Sequence, residues 1–324
     1  MNTESTQEAG TAVRHHLQAV LMAVFVTVLW SSSWVIIKFG LTVMPPMVFS
    51  GLRYTIASII LMLWIVNNES LRVQVTASKG SRFWAMVVLY GIVFVGVTQG
   101  AQYVGLRYLQ AVTVSMLLNM TPVVVLVMGA VKLGERPSAL QILTVLIAVL
   151  GVLVYFYPVE IDFTETLAIV VVVMGVLANA MSSVMGRKIN EKRTVSPTVV
   201  TGVSMLVGGP LLLLVGLATE GTITLSPYSW TAVLWLAVAN TAIAFSIWNR
   251  AMQALRAVDI AMINSMMLPQ IAVLSVIFLG EWPDVAEWIG LGVLAISVLV
   301  LQLSQARKLS SSLTDGTIHK EDIH

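Results

Sequence analysis

One apolar stretch early in the chain reads Trp30-Ser31-Ser32-Ser33-Trp34-Val35-Ile36-Ile37-Lys38. Wound as a helix, it places Trp30, Ser33, Trp34 and Ile37 on one face, at i, i+3, i+4 and i+7. Two indole rings beside a hydroxyl suit an amphipathic or cationic small molecule, because ring faces attract cations. The competing reading is packing or interfacial anchoring, and the position of Trp30 in mid-stretch argues against an anchor. Lys38 could snorkel to a surface, meet an anionic group such as a carboxylate, or act as a gate. Arg53 lies within the next apolar run and reads first as a structural ion pair or carbonyl contact.

Later apolar runs carry polar residues at helical spacing. Gln99, Gln102 and Tyr103 share a face, as do Ser115, Asn119 and Pro122; Asn179, Ser182 and Ser183 fall together, then Asn240, Thr241 and Trp248, then Asn264, Ser265 and Pro269. Polar groups inside a bilayer face protein or water rather than lipid. Taken singly, each is explained as well by an interhelical hydrogen bond of about 0.6 kcal/mol as by a ligand. Taken together they outline a polar-lined cavity for a small solute. The candidate binding residues are Trp30, Ser33, Trp34, Lys38, Gln99, Tyr103, Ser115, Asn119, Asn179, Ser183, Trp248 and Asn264. Pro122 and Pro269 each lack an N–H and free a carbonyl one turn earlier, which marks hinges near a binding region. Glu135 and Glu281 end their helices at opposite membrane faces and read as structural or gating groups.

Several chemistries find no residues. There is no cysteine, so disulfides, thiol catalysis and cysteine-held metals are excluded. The four histidines, His15, His16, His319 and His324, all lie in the tails. No Asp or Glu sits deep in an apolar run, although proton-coupled carriers usually show an intramembrane carboxylate or histidine. That favours a facilitator, an exchanger, or coupling through a less obvious group such as a desolvated Lys38. No P-loop, HExxH or GxSxG is present. Neither a cofactor, a metal, nor an enzyme activity is expected, and nucleic acid is not an expected partner.

The elements that must position these residues follow from composition. Of 324 residues, 57% are hydrophobic and 10% charged, against about 25% charged in a soluble domain, and the mean hydropathy is +0.89. The solvent for most of this chain is therefore membrane lipid. A spanning helix needs about 20 apolar residues. Ten such runs occur, at 17–40, 46–66, 84–105, 110–131, 139–157, 166–186, 198–217, 230–250, 258–280 and 286–304. Residues 1–16 and 305–324 are polar tails, and the first run, too long for a signal-peptide core, is expected to be a retained helix.

Charge sets the orientation. With the N-terminus in the cytoplasm and ten alternating helices, 15 of the 18 lysines and arginines fall on the cytoplasmic side; Lys38 and Arg107 fall outside, and Arg53 lies within a helix. The positive-inside rule asks for this asymmetry. Both termini are expected in the cytoplasm.

The chain also repeats itself. Leu109-Gln110-Ala111-Val112 matches Leu255-Arg256-Ala257-Val258, and Leu133-Gly134-Glu135-Arg136-Pro137 matches Leu279-Gly280-Glu281-Trp282-Pro283, both 146 residues apart. Ser32-Ser33 and Lys38 match Ser182-Ser183 and Lys188 at 150, and Pro122 matches Pro269 at 147. The two units are 17–157 and 158–304. Five helices each is an odd number, so the second unit enters the membrane from the opposite side. An inverted repeat can exchange the conformations of its halves, turning an outward-open cavity into an inward-open one.

These motifs resemble the drug/metabolite transporter superfamily, EamA type. Trp30 to Lys38 is similar to its first-helix pattern W-G-S-N-F-x-x-x-K, with Ser31 and Ser33 standing where glycine and asparagine are usual. Arg53 and Ala57 resemble its second-helix arginine and small residue. Ala111 through Leu117, Pro122, Gly134, Glu135 and Pro137 resemble A-x-x-A-S-x-L…P…G-E-x-P. The resemblance covers about residues 17–304. It implies an all-α membrane protein with peripheral helices five and ten and a central cavity lined by the other eight. It also implies a secondary transporter of a small metabolite, an amino acid or similar, and suggests export across a bacterial inner membrane; a monomer is expected, since ten helices can enclose a cavity alone. Uptake, efflux of drugs or organic cations, and a channel remain as alternatives.

Overall fold

The computed structural model describes residues 2–76, 80–133, 137–157, 162–190, 195–221, 226–252, 255 and 257–314. Among the described residues ten apolar helices follow one another: α1 Leu17–Leu41, α2 Pro46–Asn67, α3 Ser81–Tyr108, α4 Ala111–Ala130, α5 Ala139–Tyr155, α6 Phe163–Ile189, α7 Pro197–Thr219, α8 Pro227–Ala251, α9 Met262–Leu279 and α10 Val285–Ser304. Among the described residues there is no strand. Nine of the ten are long and apolar enough to cross a bilayer. The tenth, α5, has 17 residues, the lower bound of what spans. The chain is an all-α, multi-pass membrane protein.

Local sequence explains where the helices start. Pro46, Pro197 and Pro227 occupy first-turn positions, where a missing N–H costs nothing. Ser138 and Gln141 form a reciprocal capping box at the head of α5. The lipid-facing side is apolar by composition: Leu143, Leu146, Leu150 and Leu153 of α5 are each more than half exposed.

With no hydrophobic drive between helices in lipid, close approach of small residues holds them together. The two most extensive pairings are α2 with α7 and α5 with α10. A side chain at Gly51 would overlap the backbone of Leu213, and one at Gly209 that of Tyr54 and Thr55. Gly151 and Gly290 face each other, each pressed on the other's carbonyl. Gly91 of α3 meets Ser204 and Gly208 of α7 in the same way. Further along α3, Gly96 faces open space and Gly100 meets the Leu212 side chain of α7, so the backbone-to-backbone crossing lies at Gly91. Gly208 and Gly209 serve packing, and α7 runs unbroken through Pro210.

Other helices are interrupted. The α4 segment is two helices, Ala111–Leu118 and Thr121–Leu133. Pro122 has no N–H to give to Leu118, and the Thr121 hydroxyl donates to that freed carbonyl at 2.6 Å. The α9 region is likewise two helices, Ala257–Ser265 and Met267–Leu279, with Pro269 in the second. A wider winding occurs in α3 and α8, where Ile92–Gln99 and Val238–Ile243 are π-helical. In each, a threonine hydroxyl donates five residues back, Thr98 to Val93 at 3.1 Å and Thr241 to Leu236 at 2.8 Å. Such segments recur at functional sites, and these two begin 146 residues apart.

Candidate functional site

The centre of the molecule is polar and closed. Arg53 of α2 is 5% exposed. Its Nε donates to Thr241 Oγ1 in the π-helical turn of α8, and one Nη1 donates to the Tyr103 hydroxyl of α3, both at 3.1 Å. The guanidinium also lies 5.1 Å from the Tyr54 ring centre, a cation–π distance. The Tyr54 hydroxyl donates to Gln99 Oε1 at 2.6 Å. Tyr103 is fully buried and edge-on to Phe49. One network therefore joins α2, α3 and α8 across the chain.

An aromatic cluster adjoins it. Trp30 Nε1 donates to the Asn240 carbonyl at 3.1 Å, and Asn240 Nδ2 donates in return to the Leu29 carbonyl. The Trp30 ring lies 5.3 Å from Phe245 and 5.1 Å from Trp248. The π-helical turn of α8 thus presents Asn240 to α1 and Thr241 to Arg53, two neighbours serving different helices. Trp34 does not join these rings. It is buried in an apolar cluster with Ile37, Leu236 and Ile271.

Both helix breaks are held by polar groups from another helix. Asn179 of α6 donates Nδ2 to Thr121 Oγ1 at the α4 break, at 3.0 Å. At the α9 break, Gln270 Oε1 accepts from the Ser31 hydroxyl of α1 at 2.9 Å, and its Nε2 donates to Thr27 at 3.3 Å.

The end of the bundle that carries Lys38 is tied shut. Lys38 Nζ lies 3.0 Å from Glu281 Oε1, and Glu281 Oε2 accepts from the Ala111 N–H at 2.7 Å. One carboxylate so joins the C-terminal end of α1, the C-terminal end of α9 and the first turn of α4, where the helix dipole favours a negative charge. Glu220, at the end of α7, similarly accepts from the Met47 and Val48 N–H groups of α2, with nearest distances of 3.0 Å. Arg107 donates to the Leu41 carbonyl. At the opposite end Gln74 accepts from the Ser196 N–H at the head of α7, at 2.6 Å. Gln74 and Glu220 are 146 residues apart, so both halves use the same capping device.

The remaining expected site residues divide clearly. Ser33 and Ser115 are buried, but each hydroxyl donates within its own helix, to Trp30 and Val112. Asn119 donates to the Ser115 carbonyl at 2.8 Å, closing the first half of α4. Ser183 is exposed and bonded to its own helix, and Asn264 is exposed. Glu135 lies outside the described residues. Sequence reasoning undervalued Arg53 and missed Gln270, Thr27 and Thr121 as clamps. Arg53 carried a signal, since a charged residue inside an apolar run is a functional candidate by default; Thr121 is read only once the break at Pro122 is seen.

A multi-pass helical bundle with a sealed end, broken helices and a polar centre is the architecture of a membrane transporter. The chain belongs to the EamA-like transporter family, whose model matches it twice, over residues 17–157 and 166–303. It is a transporter and not an enzyme. An uncharacterized transporter of Archaeoglobus fulgidus is 25% identical over 87% of this chain and 96% of its own length. A probable amino-acid metabolite efflux pump of Escherichia coli K12 is 23% identical over 71% of this chain and 76% of its own. A solved crystal structure with 18% identity covers 90% of this chain and 99% of its own, with a TM-score of 0.64, so the fold is shared.

Proposed function

We propose that the chain is a secondary transporter that exports a small metabolite of the amino-acid class by alternating access. The reading takes two five-helix halves as inverted repeats, both termini as cytoplasmic, a bacterial inner membrane as the location and the monomer as the working unit. The observation that carries it is the packing under exchange of αn with αn+5. The α2–α7 and α5–α10 pairs map onto themselves. The α1–α8, α1–α9 and α2–α8 pairs map onto α6–α3, α6–α4 and α7–α3, all of which pack together. The paired breaks in α4 and α9 and the paired π-helical turns support the same axis. The amino-acid class is supported by the printed names of relatives in E. coli and Salmonella typhimurium.

In this reading the Lys38 end is the extracellular gate, closed here by Lys38, Glu281 and Ala111. By the 146-residue register, Glu135 serves the cytoplasmic gate. Pro122 and Pro269 act as hinges, since each break is clamped to a helix of the other half. A solute enters from the cytoplasm, is held among Trp30, Trp248, Tyr103, Gln99 and Asn179, and is released outside once the halves rearrange. Binding lowers the barrier only through its differential affinity for the two states.

Counterflow in proteoliposomes, with labelled amino acids and no pH gradient, tests the reading. Saturable exchange is expected for at least one of them. Flux that does not saturate would make the protein a channel, and no flux from folded protein would remove the amino-acid class.

A further inference from the structure

Arg53 is a buried cation whose partners are all neutral. Among the described residues no carboxylate pairs with it; Thr241, Tyr103 and the Tyr54 ring are its contacts. Arginine stays charged in proteins, and a buried charge is tolerated when it is paired. Two of its five N–H groups are engaged, which leaves three of the fork. Lys38, near the C-terminal end of α1, already has Glu281 at 3.0 Å. One residue from Thr241, Asn240 Oδ1 is fully buried with no partner. Its amide is not reversed, since Nδ2 must donate to the Leu29 carbonyl. The centre therefore holds an unused bidentate donor and, next along the π-helical turn, an unused acceptor.

We propose that Arg53 is the receptor for a carboxylate on the transported solute, and that Asn240 Oδ1 takes a hydrogen-bond donor of the same solute. The solute class is then a small carboxylic acid that also carries an N–H or ammonium group. A planar guanidinium matches a carboxylate bidentately, and the unpartnered Asn240 Oδ1, one residue along from the Thr241 that holds the guanidinium, matches an amine. Thr241 and Tyr103 are positioning residues: they hold the fork through Nε and Nη1 and leave its Nη2 edge uncommitted. Arg53 also reports occupancy to three helices at once, because its bonds run from α2 to α3 and α8. The inference rests on the transporter reading above and narrows its substrate.

The test uses the purified full-length protein and matched probe sets: alanine, leucine and phenylalanine, each beside its amide and its decarboxylated amine. Two readouts are taken, the rise in melting temperature in detergent and counterflow in proteoliposomes. The free acids are expected to stabilise and exchange, with the amides and amines at least tenfold weaker in apparent affinity. Arg53→Gln should abolish that discrimination, and Arg53→Lys should keep the charge but lose most of the affinity. Asn240→Asp should weaken the acids far less than Arg53→Gln does. Thr241→Val, which leaves the guanidinium in place, guards against a folding defect and should raise the apparent KM with little loss of maximal exchange. Amines and amides exchanging as well as the acids would overturn the inference and leave the carrier standing. Equal preference for acids in a folded Arg53→Gln protein would place the carboxylate elsewhere and overturn it too. No exchange and no stabilisation by any probe would defeat both the inference and the amino-acid reading.

Discussion

At the residue scale, the energetic weight lies in a few charged and buried polar groups. Glu281 joins three helix ends with two oxygens. A charge-assisted hydrogen bond is worth about 1.5–3 kcal/mol, so Glu281→Gln should shift the closed–open balance of the Lys38 end about tenfold or more. Leu109 is 6% exposed beside that closure, and the chain has no native cysteine. Leu109→Cys combined with Glu281→Gln should therefore react with a membrane-impermeant maleimide at least several times faster than Leu109→Cys alone. Equal rates would show that the carboxylate does not hold that end. Thr121 serves twice, capping the carbonyl freed by Pro122 and accepting from Asn179. Thr121→Val should lower the melting temperature by an amount equivalent to about 1–3 kcal/mol, whereas Ser183→Ala, on an exposed face, should leave it unchanged.

At the element scale, glycine positions and helix breaks make opposite demands. Gly151 and Gly290 sit at a backbone-to-backbone crossing, and overpacking such a crossing costs about 1–3 kcal/mol. Gly290→Leu should therefore destabilise the purified protein. Gly96 faces open space within a π-helical segment, so Gly96→Ala should be neutral. If both behaved alike in thermal unfolding, glycine at α5–α10 would not be there for close approach. Pro122→Ala and Pro269→Ala restore an N–H and favour a straight helix. Each should slow counterflow severalfold while stabilisation by bound solute persists, because the break serves movement rather than affinity. An unchanged exchange rate would remove the hinge role.

At the scale of the whole molecule, much was legible in advance. Ten runs separated by charged loops gave ten helices, because lipid enforces helix formation on any apolar run that spans it. Prolines at 122 and 269 gave interruptions, since a missing N–H is a local fact. Lys38 and Glu281 were each visible as gate candidates, but their meeting depends on α1 and α9 arriving at the same end, which no local pattern encodes. The π-helical turns left no mark in composition; the one in α8 sits where Asn240 bonds α1 and Thr241 accepts from Arg53 of α2. Ser33, Ser115 and Asn119 each bond within their own helix, because a hydroxyl or amide in an apolar helix has its own backbone carbonyls within reach. Trp34, on the same face as Trp30 but one turn beyond it, falls in the apolar layer, a placement that helical spacing alone does not encode.

Alternating access by two exchanging halves is the central claim, and it concerns both ends of the molecule together. Double electron–electron resonance on the cysteine-free background tests it directly, with one spin-label pair at Thr42 and Trp282 and another at Arg187 and Met262. The first pair straddles the Lys38 end, the second spans α6 and α9 at the opposite end. On adding exchanged solute, or on introducing Glu281→Gln, the first distance is expected to lengthen as the second shortens. Two distances that stay fixed, or that lengthen together, would contradict it.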